Sequence, residues 1–194
     1  MPPEPKLKRL FIGISPPPAL RLVAQAAQKL CMQQQPDLAC AWVLPENMHL
    51  TLRFLGFQSD AQVAQLKEIL PAALAERSGF ELHLGGFGCF PALAGARVLF
   101  WNVEPESALM ELQRELESRI QALGAAPAEH PYYPHLTLGR IRKPMRAPLS
   151  LPEPGVLAET QLRPWTVTQI ELFESVQGPQ GVVYHTLADF SLSA

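Results

Sequence analysis

The 194-residue chain contains 47% hydrophobic and 18% charged residues, which is enough apolar material for a sizeable core and excludes a disordered chain. A formal net charge of −2 argues against broad, sequence-independent binding to duplex nucleic acid. The three cysteines lack metal-ligand spacing, and no apolar run suits a signal peptide or a membrane span. We therefore expect a cytoplasmic protein with reduced thiols and no membrane contact. We also expect a monomer.

Strand and helix patterns alternate along the chain. The predicted segments are a strand (9–14), a helix (19–35), a strand (47–56), a helix (61–77), strands (80–90 and 96–103), a helix (106–124), a strand (131–140), a Pro-rich connection (143–164) and strands (165–176 and 182–190). Ser15 and Asp60 are predicted N-caps, and Gly124 is a predicted C′ residue. Pro71 should kink or end the second helix.

Two strands repeat the letters HLTL, the first at His49 and the second 86 positions later at His135. This distance is too long for a solenoid repeat but suits two similar halves. We therefore predict an α+β fold in one bilobal domain over residues 1–194. Two pseudo-symmetric lobes of antiparallel or mixed sheet, flanked by helices, should meet at a central cleft.

Alternation within these strands places the two polar side chains of each motif on one face. His49 and Thr51 should project together, as should His135 and Thr137. The face opposite His49 should carry Leu50, Leu52 and Phe54. One neutral and one protonated imidazole, with hydroxyls to hold phosphate oxygens, suit phosphodiester hydrolysis without a metal.

Simpler interpretations exist for each motif. A single His-x-Thr on a strand is usually an exposed surface face, and two histidines without a third ligand are a poor zinc site. Arg53 should share the face of His49, where it either binds substrate or faces solvent. The rings just before the second motif, His130 with Tyr132 or Tyr133, either stack a nucleobase or pack against the protein.

The stretches "RLFIGI", "HLTLRFLG", "GGFGCFP...ARVLFWNV" and "PHLTLGR" together resemble the two-histidine phosphoesterase superfamily, in particular its RNA 2′,3′-cyclic phosphodiesterase branch, also called 2′-5′ RNA ligase. The resemblance implies that His49 is the proton donor and His135 the proton acceptor. It further implies that Thr51 and Thr137 bind phosphate, with Arg140 in the position of the family's arginine.

Strict alternation would point the Arg140 side chain away from His135, unless a bulge near Gly139 re-aims it.

The resemblance also implies the substrate, an RNA with a 2′,3′-cyclic phosphate end such as a tRNA fragment, which would be opened to a 2′-phosphate without a cofactor. The reverse 2′-5′ ligation follows from microscopic reversibility. Two alternatives remain open: a phosphodiesterase for small cyclic nucleotides or 2′-5′ oligonucleotides, and a non-catalytic protein that binds RNA ends. Retention of both histidines argues against the second, because permanent Arg or Lys charges would serve binding better.

Overall fold

The computed structural model describes residues 7–143, 149–151, 163–179 and 181–193. Its helices are α1 (Pro18–Gln34), α2 (Asp60–Leu74) and α3 (Ser107–Ala122), with a 3₁₀ turn at Pro45–Asn47. Its strands are β1 (Lys8–Ile14), β2 (Cys40–Trp42), β3 (Leu50–Gln58), β4 (Phe80–Leu82), β5 (Leu84–Phe90), β6 (Val98–Val103), β7 (His135–Ile141), β8 (Trp165–Val167), β9 (Gln169–Gly178) and β10 (Gly181–Ser191). None of the described helices is long and apolar enough to cross a membrane.

Eight strands form one sheet in the order β10-β9-β1-β3-β7-β6-β5, and β2 pairs with β7 beside this path. Neighbouring strands are antiparallel, and β3 meets β7 only at the pair Leu50 and Leu136. The predicted α+β class is confirmed. The sheets of the two expected lobes join at their centre, where the two HLTL motifs lie side by side.

The leucines of both motifs explain which face of the sheet the helices cover. Leu50 and Leu52 in β3, like Leu136 and Leu138 in β7, are buried in one apolar cluster with the inner faces of all three helices. Burial of such side chains stabilises the fold by about 1.5–3 kcal/mol each. The motif histidines and threonines are therefore left to the opposite face, away from the helices.

Two predicted N-caps are wrong. The cap of α2 is Ser59, whose hydroxyl accepts from the Gln62 backbone N–H while the Gln62 side chain accepts from the Ser59 N–H. The N-cap of α1 is Pro17, and the Ser15 backbone N–H instead donates to Glu171 at 2.9 Å. Gly124, by contrast, has the positive φ of 88° expected at C′.

Pro71 does not end α2, which continues to Leu74. Proline cannot donate to the carbonyl four residues before it, at Lys67, but both residues are exposed, so water can satisfy that carbonyl. Buried Leu70 and Leu74 hold the last turn against the core.

The predicted strands over residues 80–90 and 165–176 each divide in two. The break falls at His83 in the first and at Thr168 in the second, and the shorter parts, β4 and β8, pair with each other as a separate two-stranded sheet. Most of the predicted Pro-rich connection lies outside the described residues.

Candidate active site

A register shift in β7 decides the direction of Arg140. Thr137 pairs with Phe100 of β6 and Gly139 pairs with Leu99, so Leu138 is an extra residue opposite a single step of β6. Because a bulge of one residue reverses the alternation beyond it, Arg140 faces the same side as Thr137. The bulge that the sequence allowed near Gly139 is therefore present, and it directs Arg140 into the cleft.

A similar shift in β3 turns Arg53 away from the cleft, so the prediction that Arg53 shares the face of His49 is wrong. Thr51 pairs with Gly13 and Arg53 with Ile12, which leaves Leu52 as the extra residue. Arg53 therefore points toward α3, where its Nε lies 2.6 Å from Glu117 Oε2.

The same shift moves Phe54, predicted on the leucine face, to the cleft. It pairs with Phe11 across the strands, and the two ring centroids are 5.9 Å apart. Phe54 is 56% exposed, in contrast to the buried leucines of the same strand.

The cleft is a cavity of about 470 Å³ into which both motifs open. Its walls include both histidines and both threonines of the motifs, together with Arg140, so the structure brings five of the six candidate residues together. It also includes residues that sequence reasoning missed, namely Arg9, Phe11, Asn47, Phe90, Ser175, Val182 and Tyr184. Within the described part of the chain, no group of three or more His, Cys, Asp or Glu side chains is placed to hold a metal.

Both imidazoles are oriented in the same way. His49 Nδ1 lies 2.8 Å from the carbonyl oxygen of Asn47, and His135 Nδ1 lies 2.8 Å from the carbonyl oxygen of Tyr133, two residues earlier in each case. A carbonyl can only accept, so Nδ1 must carry the proton in both rings. Each neutral ring therefore keeps its lone pair on Nε2, the nitrogen left for a substrate.

Aromatic rings surround each histidine. His49 packs against Phe11 and Tyr184, with ring centroids 4.5 and 4.9 Å away, and His135 packs against Phe100 and Phe90 at 5.0 and 5.3 Å. Removal from water disfavours the charged imidazolium. This packing makes the environment of both rings apolar.

The pKa values of both rings are correspondingly low. Burial lowers the pKa of His49 to about 4; the hydrogen bond to the Asn47 carbonyl opposes this shift, and the charges of Arg140 and His135 add to it. Burial and then Arg140 likewise lower the pKa of His135, against the opposing bond to Tyr133. Without a bound anion, both rings are thus mainly neutral at pH 7. A phosphodiester anion in the cleft would raise both values.

The low pKa of His49 predicts a pH-dependent stability. An unfolded histidine titrates near pH 6.5, whereas folded His49 titrates near 4, so between these values only the unfolded chain takes up the proton. The free energy of unfolding should fall by up to about 3 kcal/mol as the pH drops through this window. Urea denaturation at pH 7.5 and 4 should show a smaller decrease in the free energy of unfolding for His49→Gln than for the wild type. Equal decreases would contradict the low pKa of His49.

The two residues that orient the histidines are themselves attached to neighbouring strands. The Asn47 side-chain amide donates to the Val182 carbonyl on β10 at 2.7 Å, and the Tyr133 hydroxyl donates to Asn102 Oδ1 on β6 at 2.7 Å. Tyr133, a candidate for base stacking, thus lies half-exposed beside His135 with its hydroxyl occupied. Asn47 and Tyr133 thus link the orientation of the two imidazoles to β10 and β6.

Loosening either attachment should affect catalysis more than substrate binding. Asn47→Ala and Tyr133→Phe should each lower kcat by about tenfold with KM changed less than threefold, as for other lost outer-shell bonds to functional histidines. Steady-state kinetics on a cyclic phosphodiester would measure this. A rise in KM alone would instead place these side chains in contact with substrate.

Comparison with known proteins gives a consistent result. Residues 16–179 match the 2′-5′ RNA ligase superfamily. An RNA 2′,3′-cyclic phosphodiesterase of Methanothermobacter thermautotrophicus is 30% identical over 156 residues, 80% of this chain and 84% of that protein. One of Thermus thermophilus is 30% identical over 190 residues, 95% of this chain and 90% of that protein.

Solved structures agree with these sequence relatives. The crystal structure of E. coli LigT complexed with 3′-AMP superposes with a TM-score of 0.79 at 26% identity, covering 97% of this chain and 100% of that one. The crystal structure of TT0787 of Thermus thermophilus has the same TM-score at 27% identity, covering 95% and 97%.

Proposed function

The chain belongs to the 2′-5′ RNA ligase superfamily, and on this premise we propose that it is an RNA 2′,3′-cyclic phosphodiesterase that opens cyclic ends to 2′-phosphates. The relatives named above are phosphodiesterases of this kind. The observation that carries the proposal is the matched pair of histidines, each held through Nδ1, which leaves Nε2 free, and both lining one cavity.

The reaction uses these two nitrogens in turn. His135 Nε2 takes a proton from water, whose oxygen attacks phosphorus in line with the departing oxygen. His49, protonated on Nε2, donates to the leaving 3′-oxygen as the P–O bond breaks, so the product carries a 2′-phosphate and a 3′-hydroxyl. His49 must be charged at that moment, and the bound phosphodiester anion supplies the field that raises its pKa.

The remaining cleft groups hold the phosphate. Arg140 provides a permanent positive charge on the same face as both histidines, and the hydroxyls of Thr51 and Thr137 can donate to non-bridging oxygens. These interactions strengthen as negative charge gathers in the transition state.

Removing either threonine hydroxyl should weaken that stabilisation. We expect Thr51→Ala and Thr137→Ala each to reduce kcat/KM by an amount equivalent to about 1–3 kcal/mol, the size of a hydrogen bond to a charged group. Thermal unfolding of both variants should stay near the wild type. Unchanged kinetics would limit the threonines to a structural contribution in their strands.

The proposed activity is tested with an oligoribonucleotide that ends in a 2′,3′-cyclic phosphate. Ring opening to the 2′-phosphate, rather than the 3′-phosphate, is expected, and EDTA should leave the rate unchanged because the acid and the base are both imidazoles. Loss of turnover in EDTA, restored by a divalent metal, would contradict the mechanism. The 2′-phosphate product is identified by its resistance to a phosphatase that removes only 3′-phosphates.

The charge state of the histidines argues against a protein that only binds RNA ends. Both rings are mainly neutral at pH 7 without ligand, so they contribute little to capturing an anion, whereas neutral and protonated forms in one cavity serve proton transfer. Cyclic mononucleotides and 2′-5′ oligonucleotides are the alternative substrates. Turnover of these, with inert cyclic-ended RNA, would favour that second candidate.

We further propose that the chain works as a single-domain monomer in the cytoplasm, on ends such as those of cleaved tRNA, with reverse 2′-5′ ligation measurable in vitro. Cys31, Cys40 and Cys89 are free, and burial raises the pKa of the Cys31 and Cys40 thiols to about 11, which suits inert thiols in a reducing compartment. Size-exclusion chromatography with light scattering would test the oligomeric state.

A further inference from the structure

The cavity continues beyond the two histidines along β1. Arg9 lies two residues before Phe11, so both side chains are on the cleft face, about 7 Å apart along the strand. Phe11 is the ring that packs on His49 at 4.5 Å. Arg9 thus lies one pleat repeat beyond the ring that contacts His49.

The surface beside Arg9 is open. Gly56 of β3 and Ser175 of β9 also line the cavity, and both lie beside this end of β1, because Leu10 pairs with Gly56 and with Glu174. A Cβ built on Gly56 would meet nothing within 4 Å. Gly56 has a φ of 72°, which favours glycine, so the strand bends here without placing a side chain over the sheet. A ribose-phosphate backbone can therefore approach Arg9 directly.

Arg9 is also available to an anion. Its side chain is exposed, and among the described residues it forms no ion pair. No Asp or Glu is among the described side chains that line the cavity. This absence of carboxylates contrasts with the net charge of −2 for the whole chain.

Tyr184 connects Arg9 with the catalytic end of the cleft. Burial raises the pKa of its hydroxyl, and the charges of Arg140 and Arg9 both oppose this shift. The two guanidinium groups therefore both act on one hydroxyl, which places positive charge on either side of Tyr184 in the same cavity.

An exposed aromatic ring completes this region. Phe54 lines the cavity, is 56% exposed and lies against Phe11 on its inner side at 5.9 Å. A cation along the path of the backbone with an exposed ring beside it is the usual combination in proteins that bind single-stranded nucleic acid.

We infer that Arg9 and Phe54 form a second nucleotide subsite, which binds the nucleotide preceding the cyclic end of a single-stranded RNA. A 2′,3′-cyclic phosphate ends the chain, so every further nucleotide lies on its 5′ side. Arg9 binds the phosphate that joins the last two nucleotides, and Phe54 stacks on the base of the penultimate one. The inference rests on the proposed function and extends it: the preferred substrate is an RNA end rather than a cyclic mononucleotide.

The test compares 2′,3′-cyclic AMP with a tetranucleotide ending in the same cyclic adenosine. For Arg9→Gln, the ratio of kcat/KM on the tetranucleotide to that on the mononucleotide should fall by about tenfold. The slope of log kcat/KM against log salt concentration for the tetranucleotide should become less negative by about 0.7. Phe54→Ala should lower the same ratio by about fivefold or more. Arg114→Gln, an exposed arginine on α3, is the matched control and should leave both substrates unaffected.

Equal losses on the two substrates would overturn the inference, because Arg9 would then act on the reacting phosphate itself. Full activity of Arg9→Gln on both substrates would overturn it as well. Wild-type protein inert toward both substrates would instead refute the proposed function, and the subsite would still be decided by fluorescence anisotropy with a 2′-phosphorylated tetranucleotide. Binding weakened about tenfold by Arg9→Gln would support it, and equal affinity would refute it.

Discussion

His135→Ala should lower kcat/KM on a cyclic-ended RNA by at least about a hundredfold, and His49→Ala by a similar factor, because each removes one of the two proton transfers. Both variants should fold, since both rings lie on the cleft face rather than in the cluster beneath the helices. His185→Ala is the matched control: this histidine follows Tyr184 in β10 and is exposed. It should retain full activity.

The two roles separate on a substrate whose leaving group needs no proton, such as a nitrophenyl phosphodiester. There His49→Ala should lose far less activity than His135→Ala, because the acid has become unnecessary while the base has not. A milder effect of His135→Ala would show that the roles are reversed. Small and equal losses in both variants on RNA would refute acid–base catalysis by this pair.

The pH dependence of the wild type provides an independent check on the same pair. The free protein holds both imidazoles below their ordinary pKa, so the acidic limb of kcat/KM should lie below the pH 6.5 of an unperturbed histidine. The limb of kcat should lie at higher pH than that of kcat/KM, because the bound anion raises both values. Coinciding acidic limbs would mean that the bound substrate does not raise the pKa of His135, the base whose protonation sets this limb.

Arg140→Gln should have the second large effect, a loss of about a hundredfold in kcat/KM, the range seen when one donor to a developing oxyanion is removed. Its guanidinium lies close enough to both histidines to lower their pKa values, so its loss should also raise the pKa of each ring. The acidic limb of the rate profile would then move to higher pH. A purely structural arginine would not move it.

Arg53→Gln is the matched variant for Arg140 and should behave in the opposite way. Arg53 is paired with Glu117 on the helix side of the sheet, so kcat/KM should stay within about threefold while the free energy of unfolding falls by about 1–3 kcal/mol. Urea denaturation and kinetics on the same preparation measure both. A hundredfold loss of kcat/KM in Arg53→Gln would show instead that Arg53 faces the cleft, as simple alternation predicts.

The sequence alone indicated the class of fold and the two histidines that we propose as the catalytic pair. Local alternation of apolar and polar residues identified both motif strands, and the repetition of HLTL distinguished His49 and His135 from the other three histidines. Each inference depended only on residues within one strand, whose period of two is set by backbone geometry.

Only the tertiary structure decided the directions of the Arg53 and Arg140 side chains and the pKa values of the two imidazoles. The bulges at Leu52 and Leu138 depend on how β3 pairs with β1 and how β7 pairs with β6, and each shift by one residue exchanges the two faces of the strand beyond it. Gly139 was the sequence signal for the second bulge. The structure also shows why this position needs glycine: a Cβ there would overlap the Cys40 sulfur on β2. No comparable signal marked the first.

The environment of the two imidazoles likewise could not be predicted from local sequence. Tyr184, which contacts His49, is distant from it in the chain, and only the pairing of β10 with β9 and of β9 with β1 brings it into the cleft. Arg9 reaches the cavity through the same sheet order. A pKa shift sums burial and charge over such neighbours, so it arises only once distant strands have packed together.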